Sequence, residues 1–442
     1  RSQGIKILYV ASHNKGRTRR IQKSLGGIEL TEPQSEKPSL LVAKGTFEAM
    51  RGAERDLIRN LPALTKYFDV TMATLESSRE LKQCCREYAI PLLKPKIPWQ
   101  KKSGTLSKVW NTDLRSSTKA WKGITGLNEA LASADAVHLV SGDGSLGLIR
   151  LVPKKTPFHL HMLEPHRGLY EDVLHLGVDG KPKRNLSITK FALSKARRDD
   201  RRVISAFLKR PNSRINGNSS YSAERIQAVY GCDAGFIHPS VDFSEFTPEA
   251  TEEENQAWIE FDELPDPPWV TTIGHAGWVK GGWETISMLA GSGFGLVLVG
   301  GGGFEEVEGL HDHASARGVK LWTPPRLSNL QLTGLMRRSV AIVSMAHGEP
   351  FGLTPIEAFA VGTPALFVDE GGFQDTLEDG VNGRLLPRDD PMAWQEALNE
   401  ALEADVKKKW AEAGRQKIAE LDLSPDAHAR RIFEVFQELN KS

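Results

Sequence analysis

The stretch from residue 347 to residue 358 reads His-Gly-Glu-Pro-Phe-Gly-Leu-Thr-Pro-Ile-Glu-Ala, and its pattern decides the fold prediction. The apolar run Val340–Ala346 directly before it is typical of a buried parallel strand. After the strand, Gly348 and Gly352 permit a tight turn and a close backbone approach to a ligand. Pro355 suits the first position of a helix, and the free amides at a helix start form an anion site. The stretch therefore predicts a strand, a glycine turn and an anion-binding helix start.

Two carboxylates flank this turn at a Glu-x7-Glu spacing. Glu349 comes before the free amides and caps no helix, so we consider it a candidate for contacts with a substrate. Glu357 lies one turn inside the helix and has two interpretations. It could bind a ligand beside the helix start, or it could form a capping box with Thr354, in which the glutamate side chain returns to the N-cap amide.

The run from Glu349 to Pro364, continued by residues 367–372 and 379–383, resembles the donor-site signature of retaining glycosyltransferases of the GT-B fold, family four. The resemblance implies that Glu349 contacts sugar hydroxyls beside the anomeric carbon and that Glu357 holds the ribose of a nucleotide. It also implies that the donor diphosphate lies against the amides at the helix start. Those amides belong to Phe351, Gly352, Leu353 and Thr354.

Length and composition bound the remaining possibilities. A chain of 442 residues exceeds one ordinary hydrophobic core and predicts two large domains. With a net charge of +1, 26% charged and 40% apolar residues, it has the composition of a soluble globular protein, and no basic excess predicts a nucleic-acid partner. The three cysteines, Cys84, Cys85 and Cys232, lack a zinc-binding spacing and predict reduced thiols. No Asp-x-Asp pair predicts a metal site, so we expect chemistry without metal or cofactor.

The sequence also bears on the membrane. No apolar run reaches the roughly 20 residues that span a bilayer, and the beginning lacks a signal-peptide pattern. We therefore expect a cytoplasmic protein, in contact with the inner face of the membrane at most. The segment from Lys195 to Arg210 predicts an amphipathic helix with a basic face. That face could make a peripheral contact with an anionic membrane, or it could simply face solvent.

The first half opens with a predicted βαβ unit. Strand 40–44 leads through a glycine turn to a helix, and a second strand follows at 70–75. The run Arg51-Gly52-Ala53-Glu54-Arg55 at the helix start resembles the Gly-Gly-Ala-Glu-Arg loop of the same family. The resemblance implies that Gly52 faces the donor diphosphate, although Arg51 replaces the first glycine. The alternative is an ordinary helix start.

A later strand, residues 158–161, runs into Glu164-Pro165-His166-Arg167. This resembles a His-Glu-Pro-Pro-Arg run found in part of the family. The resemblance implies a histidine that contacts the sugar in the cleft, and we assign it to His161 rather than His159. A buried core histidine is the alternative. Residues 92–102 predict an exposed loop, in the region that faces the acceptor in related enzymes.

The second half opens with a strand that leads into the run from Gly274 to Gly282. Related enzymes show Gly-Arg followed five residues later by Lys-Gly, and the two cations neutralise the donor diphosphate. Lys280 fits the lysine. His275 occupies the arginine position and provides neither the full charge nor the bidentate geometry of a guanidinium. Arg326, in a later loop, is a candidate neighbour of the base or ribose, or else a surface arginine.

These elements predict an α/β protein of the GT-B fold, with two Rossmann-like domains that face a cleft and a C-terminal helix that returns to the N-terminal domain. We predict an N-terminal extension of unassigned role at residues 1–36, an acceptor domain at 37–247 and a nucleotide-sugar domain at 248–423. The returning helix is predicted at 424–442. The acidic stretch 249–266 has the composition of a linker.

The resemblance implies a retaining hexosyltransferase, of the kind used in polysaccharide biosynthesis. The donor would be a nucleotide-diphosphate sugar of the GDP-mannose or UDP-glucose type, and the acceptor a glycan, a lipid-linked molecule or a small molecule. Two alternatives stay open because His275 replaces the expected arginine. One is a non-catalytic protein that binds sugar nucleotides, and the other is a different GT-B enzyme, such as an epimerase.

Overall fold

The computed structural model describes residues 37–48, 50, 52–101, 112–259 and 268–441. The predicted extension at residues 1–36 lies outside the described residues. In the first half, seven strands form one sheet in the order β3-β2-β1-β4-β5-β6-β7, and each ladder between neighbours is parallel. These strands are β1 (Ser39–Lys44), β2 (Asp69–Thr74), β3 (Leu92–Leu93), β4 (Ala136–Val140), β5 (Phe158–His161), β6 (Ser213–Gly217) and β7 (Gly235–Phe236).

In the second half, six strands form another parallel sheet in the order β10-β9-β8-β11-β12-β13. The strands are β8 (Trp269–Ile273), β9 (Gly295–Val299), β10 (Leu321–Trp322), β11 (Ile342–Ser344), β12 (Ala365–Val368) and β13 (Arg384–Leu386). In both sheets the strand order reverses beside the first strand, between β1 and β4 and between β8 and β11. Open α/β sheets bind ligands at such switch points, outside the carboxyl ends of the strands.

Helices connect the strands and cover the sheets. In the first half the helices are α1 (Gly52–Leu64), α2 (Arg79–Glu87), α3 (Thr112–Lys122), α4 (Leu127–Ser133), α5 (Arg167–Tyr170), α6 (Leu186–Ala192), α7 (Ser194–Leu208) and α8 (Ser220–Tyr230). The others are α9 (Glu252–Ile259), α10 (Gly282–Leu289), α11 (Phe304–Arg317), α12 (Asn329–Arg338), α13 (Leu353–Val361), α14 (Phe373–Thr376), α15 (Pro391–Glu400), α16 (Ala404–Leu421) and α17 (Pro425–Leu439). No helix in the described part of the chain is long and apolar enough to cross a membrane.

The last helix, α17, returns to the first half. Its Phe436 packs edge-on against Phe68, with ring centroids 5.9 Å apart, and against His159 of β5 at 6.1 Å. Ala429 and Ile432 are fully buried in the same hydrophobic cluster. The two parallel sheets and the returning helix confirm the predicted fold class. The predicted domain boundaries at residues 247 and 423 stay a prediction.

Two local predictions were wrong. Part of the acidic stretch expected to be a linker forms α9, whose acidic first turn suits the positive end of the helix dipole. Glu254 of this helix is buried and forms a bidentate ion pair with Arg337 of α12, at 2.9 and 3.0 Å. Helix α13 begins at Leu353 with Gly352 as its N-cap, so Pro355 occupies the third helical position and not the first.

Candidate functional site

The turn after β8 is fixed against the end of β11, at the switch point of the second sheet. The amide of His347 donates to the carbonyl of Val279 at 2.9 Å. Gly281 has a φ of +71°, and a β-carbon there would lie 2.1 Å from the carbonyl oxygen of Met345. Because another residue at 281 would both strain the backbone and collide, the glycine is required for this contact. The contact holds the turn that contains Lys280 against the stretch 347–358, named here the signature turn.

Lys280 and Glu349 meet at this switch point. The Lys280 ammonium lies 2.7 Å from Oε2 of Glu349, and both side chains are mostly buried, with 30% and 23% of their surface exposed. The aliphatic part of Lys280 packs over Gly274, where a β-carbon would lie 3.0 Å from Cγ of the lysine. Two residues that the sequence analysis named from separate motifs are thus direct partners. Their roles toward a ligand stay predictions.

The backbone next to Glu349 is held by a second glycine turn. Gly371 has a φ of +66°, and the amide of Gly372 donates to the carbonyl of Glu349 at 2.7 Å. A β-carbon on Gly372 would lie 2.4 Å from the carbonyl oxygen of Pro350. Gly352, with a φ of +80°, then starts α13. The predicted amides of Phe351, Gly352, Leu353 and Thr354 therefore belong to one tightly supported helix start, next to the carboxylate of Glu349.

A network of charged side chains lies behind the turn. His347 Nε2 lies 2.7 Å from Glu284 Oε2, and Arg388 donates to the other oxygen of Glu284 at 3.1 Å and to the carbonyl of Met345 at 2.7 Å. Arg388 also forms a bidentate pair with Glu370, at 2.9 and 2.8 Å. Burial acts to raise the pKa of Glu370, but the hydrogen bonds and charge of Arg388 outweigh it and the pKa is lowered.

Sequence reasoning missed this network. His347 and Glu284 are 63 residues apart, and Arg388 and Glu284 are 104 residues apart. No motif of neighbouring residues contains them, so only the packed sheet reveals that they support the signature turn.

The first half contacts the same turn through Arg167. Its guanidinium donates to the carbonyl of His347 at 2.7 Å and pairs with Glu171 at 2.7 Å. Glu164 lies 3.7 Å from the same guanidinium. Burial is the largest cause that raises the pKa of Glu164, to about 8, and the carboxylates of Glu349 and Glu171 add to it while Arg167 acts in the opposite direction. Glu164 keeps 35% of its side-chain surface exposed, so water moderates this shift.

A second contact between the halves lies on the other side of the turn. Ser219 and Ser222 both donate through Oγ to the carbonyl of Pro350. At the start of α8, the amide of Ser220 donates to Asp375 at 2.8 Å, and His238 Nε2 lies 3.2 Å from the same carboxylate. Burial acts to raise the pKa of Asp375, but His238 and Ser220 lower it overall. The signature turn is therefore held between the two halves.

The structure does not bring His161 to this site. His161 is 2% exposed and packs among His138, His159 and His428, in the layer between the first sheet and α17. Burial lowers the pKa of His161 well below its usual value, so the ring is neutral. Its ring lies 5.7 Å from that of His428, and His238, not His161, contacts the ring of Phe351. Its position is that of the core histidine, the alternative left open above.

The other predicted residues occupy varied positions. His275 is exposed, and its Nδ1 accepts a hydrogen bond from the amide of Gly277 at 3.0 Å. Arg326 is exposed in the loop before α12. Gly52 begins α1, and a β-carbon there would have no neighbour within 4 Å. Glu357 is half-buried on α13, and because the N-cap is Gly352 the capping-box alternative is excluded. Nothing in the geometry tests the ligand roles of these four residues.

Comparison with known sequences finds similarity to glycosyltransferases over part of the chain. Residues 258–417 match the family model described as glycosyl transferases group 1. The chain is 29% identical over 232 residues to a D-inositol 3-phosphate glycosyltransferase of Xylanimonas cellulosilytica, covering 50% of this chain and 55% of that protein. It is 28% identical over 202 residues to the protein of the same name in Mycolicibacterium gilvum, covering 43% and 45%. The chain thus spans about half the length of the curated relatives it matches.

Solved structures agree on the fold. A glycosyltransferase from Rickettsia africae superimposes with a TM-score of 0.66 at 16% identity, covering 92% of this chain and 99% of the other. Anabaena HepE, solved in complex with UDP and glucose, gives a TM-score of 0.63 at 16% identity, covering 90% and 100%. At such low identity the likeness shows the fold, which is that of GT-B glycosyltransferases.

Proposed function

We propose that this chain, whose residues 258–417 match glycosyl transferases group 1, is a retaining glycosyltransferase that moves a hexose from a nucleotide-diphosphate sugar to an acceptor hydroxyl. One observation carries the proposal. The Lys280 ammonium, the Glu349 carboxylate and the free amides at the start of α13 meet at the switch point between β8 and β11. A cation and a helix start together favour an anionic diphosphate, and a neighbouring carboxylate can accept hydrogen bonds from sugar hydroxyls.

In this mechanism the protein mainly stabilises the leaving group. As the bond to the sugar breaks, negative charge develops on the diphosphate, and Lys280 and the amides of residues 351–354 stabilise it. The ion pair with Glu349 holds the lysine in position, while Glu349 orients the sugar and Glu357 the ribose. No side chain near the pair in the described part of the chain provides an evident covalent nucleophile, so we propose same-face substitution through an oxocarbenium-like state. We propose that this proceeds without metal.

The donor and acceptor classes rest on the relatives. UDP and glucose bound to Anabaena HepE favour a UDP-glucose type donor, with GDP-mannose as the second candidate. The names of the sequence relatives favour a small polyol phosphate as acceptor, beside a glycan or a lipid-linked acceptor. On α7, Arg198, Arg201 and Arg202 are exposed, and we retain the peripheral membrane contact of the Lys195 to Arg210 segment as part of the proposal.

The test is a panel of nucleotide sugars incubated with the purified chain, with and without candidate acceptors. Release of nucleoside diphosphate that depends on an acceptor, with the anomeric configuration retained in the product, supports the proposal. A different GT-B enzyme, such as an epimerase, would convert the donor with no acceptor present. The non-catalytic alternative predicts nucleotide binding without turnover for every donor, and His275→Arg would then be expected to restore transfer.

A further inference from the structure

A cavity of about 370 Å³ lies in the first half, between the carboxyl end of β4 and helix α7. Gly142 and Gly144 after β4 form one side, and Ala196 and Val203 of α7 form the opposite side. The volume falls in the range of small-molecule sites. Gly144 is needed there, because a β-carbon would lie 2.9 Å from the ring of Trp99, which also lines the cavity. Any other residue at this position would therefore collide with the tryptophan ring.

The cavity is lined by a segment that also contacts the signature turn. Its lining includes His166 and Gly168, the two neighbours of Arg167. Arg167 itself donates to the carbonyl of His347, two residues before Glu349. The short helix α5 therefore presents one face to the proposed donor site and another to the cavity. Arg167 thus connects the segment that lines the cavity to the turn that contains Glu349.

The described lining residues are mostly apolar, and their carboxylates outnumber their ammonium groups. The apolar part includes Trp99, Leu114, Leu146, Leu169, Leu193 and Val203. One ammonium is present among the described lining residues, that of Lys101, and it pairs with Asp143 at 2.6 Å. Two further carboxylates, Asp113 and Asp200, belong to the lining. A phosphate site normally has an excess of cations or free amides, so this lining does not suit a phosphorylated acceptor.

Asp200 offers a buried hydrogen-bond acceptor within the mostly apolar lining. Asp200 is 7% exposed, and the hydroxyls of Tyr170 and Tyr230 both donate to its Oδ2, at 2.6 and 2.8 Å. Oδ1 keeps the capacity to accept a hydrogen bond. Asp113 Oδ1 is a second buried acceptor of the lining, with no hydrogen-bond partner among the described residues. Buried acceptors in a mostly apolar cavity suit a ligand that carries hydroxyls next to an apolar group.

We propose that this cavity, named here the Trp99 cavity, binds the acceptor of the proposed transfer, and that the acceptor carries an alkyl chain or aromatic ring next to its hydroxyls and no phosphate. The inference rests on the proposed function. It differs from what the names of the sequence relatives suggest, because their acceptor is a phosphate ester and the lining of the Trp99 cavity is apolar and acidic.

The experiment measures binding to the full chain by calorimetry with three probes below any micelle-forming concentration: n-octyl β-D-glucopyranoside, methyl β-D-glucopyranoside and myo-inositol 1-phosphate. We expect the octyl glucoside to bind at least tenfold more tightly than the methyl glucoside, because only its chain can fill the apolar lining. The inositol phosphate is expected not to saturate. Saturable binding of the inositol phosphate, with no preference for the octyl chain, would overturn the proposal.

Two variants test whether this binding occurs in the Trp99 cavity, and each has a matched control variant. Ala196→Phe fills it from α7, and Ala206→Phe makes the same change on the exposed side of that helix. Leu114→Asp puts a charge on the lining, and Leu402→Asp puts one at a leucine that is 52% exposed elsewhere. We expect the octyl preference to disappear in Ala196→Phe and Leu114→Asp and to persist in the other two.

The controls separate this inference from the proposed function. Stabilisation by UDP or GDP, followed as a shift in melting temperature, is expected in all four variants, because the donor contacts lie in the second half. If it is seen and the octyl preference survives in folded Ala196→Phe and Leu114→Asp, the acceptor inference is wrong and the donor proposal stands. If Ala196→Phe does not fold, Leu114→Asp alone decides.

Discussion

Two regions of the molecule bring titratable side chains into contact, and these side chains are charged in one region and neutral in the other. At the signature turn, Lys280 pairs with Glu349, and each keeps about a quarter of its side-chain surface in water. In the core of the first half, His138 and His159 are completely buried, with their Nδ1 atoms 2.9 Å apart. The site keeps its charges by pairing them, whereas burial removes charge from the histidines.

The difference explains why a strand-end histidine is a poor guide to a site. β5 is a central strand, between β4 and β6, and α17 covers it. Both faces are therefore buried, and a polar side chain on β5 must be neutral. The Nε2 atoms of His138, His159 and His161 have no hydrogen-bond partner among the described residues. The turn after β8 instead leaves the sheet at its switch point, where a charged side chain can reach a ligand.

The largest expected effect comes from removing the cation of the site. Lys280→Ala is expected to lower transfer on the order of 10³-fold, because the leaving diphosphate loses its paired charge in a partly desolvated site. The melting temperature should change little, since the lysine is partly exposed. Product formation is compared with Lys408→Ala, an exposed lysine on α16, which should match wild type. Wild-type rates in Lys280→Ala would refute the diphosphate role.

Substitution of Glu349, the carboxylate partner of Lys280, should lower turnover much more than nucleotide affinity. Glu349→Gln keeps the size of the side chain and removes its charge, so the sugar is held less well while the nucleotide contacts remain. We expect a loss in kcat on the order of 10²-fold and a change in nucleotide affinity of less than about threefold. Steady-state kinetics and UDP titrations measure the two quantities. An equal loss in both would place Glu349 on the nucleotide instead.

The buried histidines should make the folded protein less stable at low pH. The pKa of His159 is lowered to about 3, chiefly by burial, so between that value and about 6.5 the unfolded chain binds more protons than the folded one. Stability should therefore fall as the pH is lowered from 7 toward 4. Melting curves of His159→Leu should show a shallower fall, and the exposed His275→Gln should follow wild type. Identical slopes in all three would exclude a role for the buried ring.

The smallest effect is expected at Glu164, where stability should fall as the pH rises. Its pKa is raised to about 8, mainly by burial, so the folded chain holds an extra proton between about 4.5 and 8 and stability should decline as the pH rises through that window. Glu164→Gln cannot lose a proton and should flatten the melting temperature from pH 5 to 8. Because a third of the side chain is exposed, the change should amount to a few degrees at most. A steeper decline in the variant would contradict the assignment.

Much of the fold could be predicted because its information is local. β1 and β11 belong to short apolar runs, which predict buried strands in the sequence alone. Lys280 and Glu349 could be named for the same reason, since each belongs to a short motif. The acidic helix α9 was missed because its stability comes from a distant partner, the ion pair between Glu254 and Arg337.

The rest of the site depends on tertiary contacts. Glu284 and Arg388 come from two separate segments, and nothing in their local sequence shows that they meet at the turn. His161 was misplaced because a residue at the end of a strand has the same local pattern whether it faces a cleft or a neighbouring helix. Only the position of α17 distinguishes the two cases.

The central claim is that Lys280 and the amides at residues 351–354 hold a diphosphate. Calorimetric titration of UDP and uridine into wild type and Lys280→Ala tests it most directly, because the two ligands differ only in the diphosphate. Wild type is expected to bind UDP at least tenfold more tightly than uridine, and Lys280→Ala is expected to remove most of this difference without changing the affinity for uridine. An unchanged preference for UDP in Lys280→Ala would contradict it.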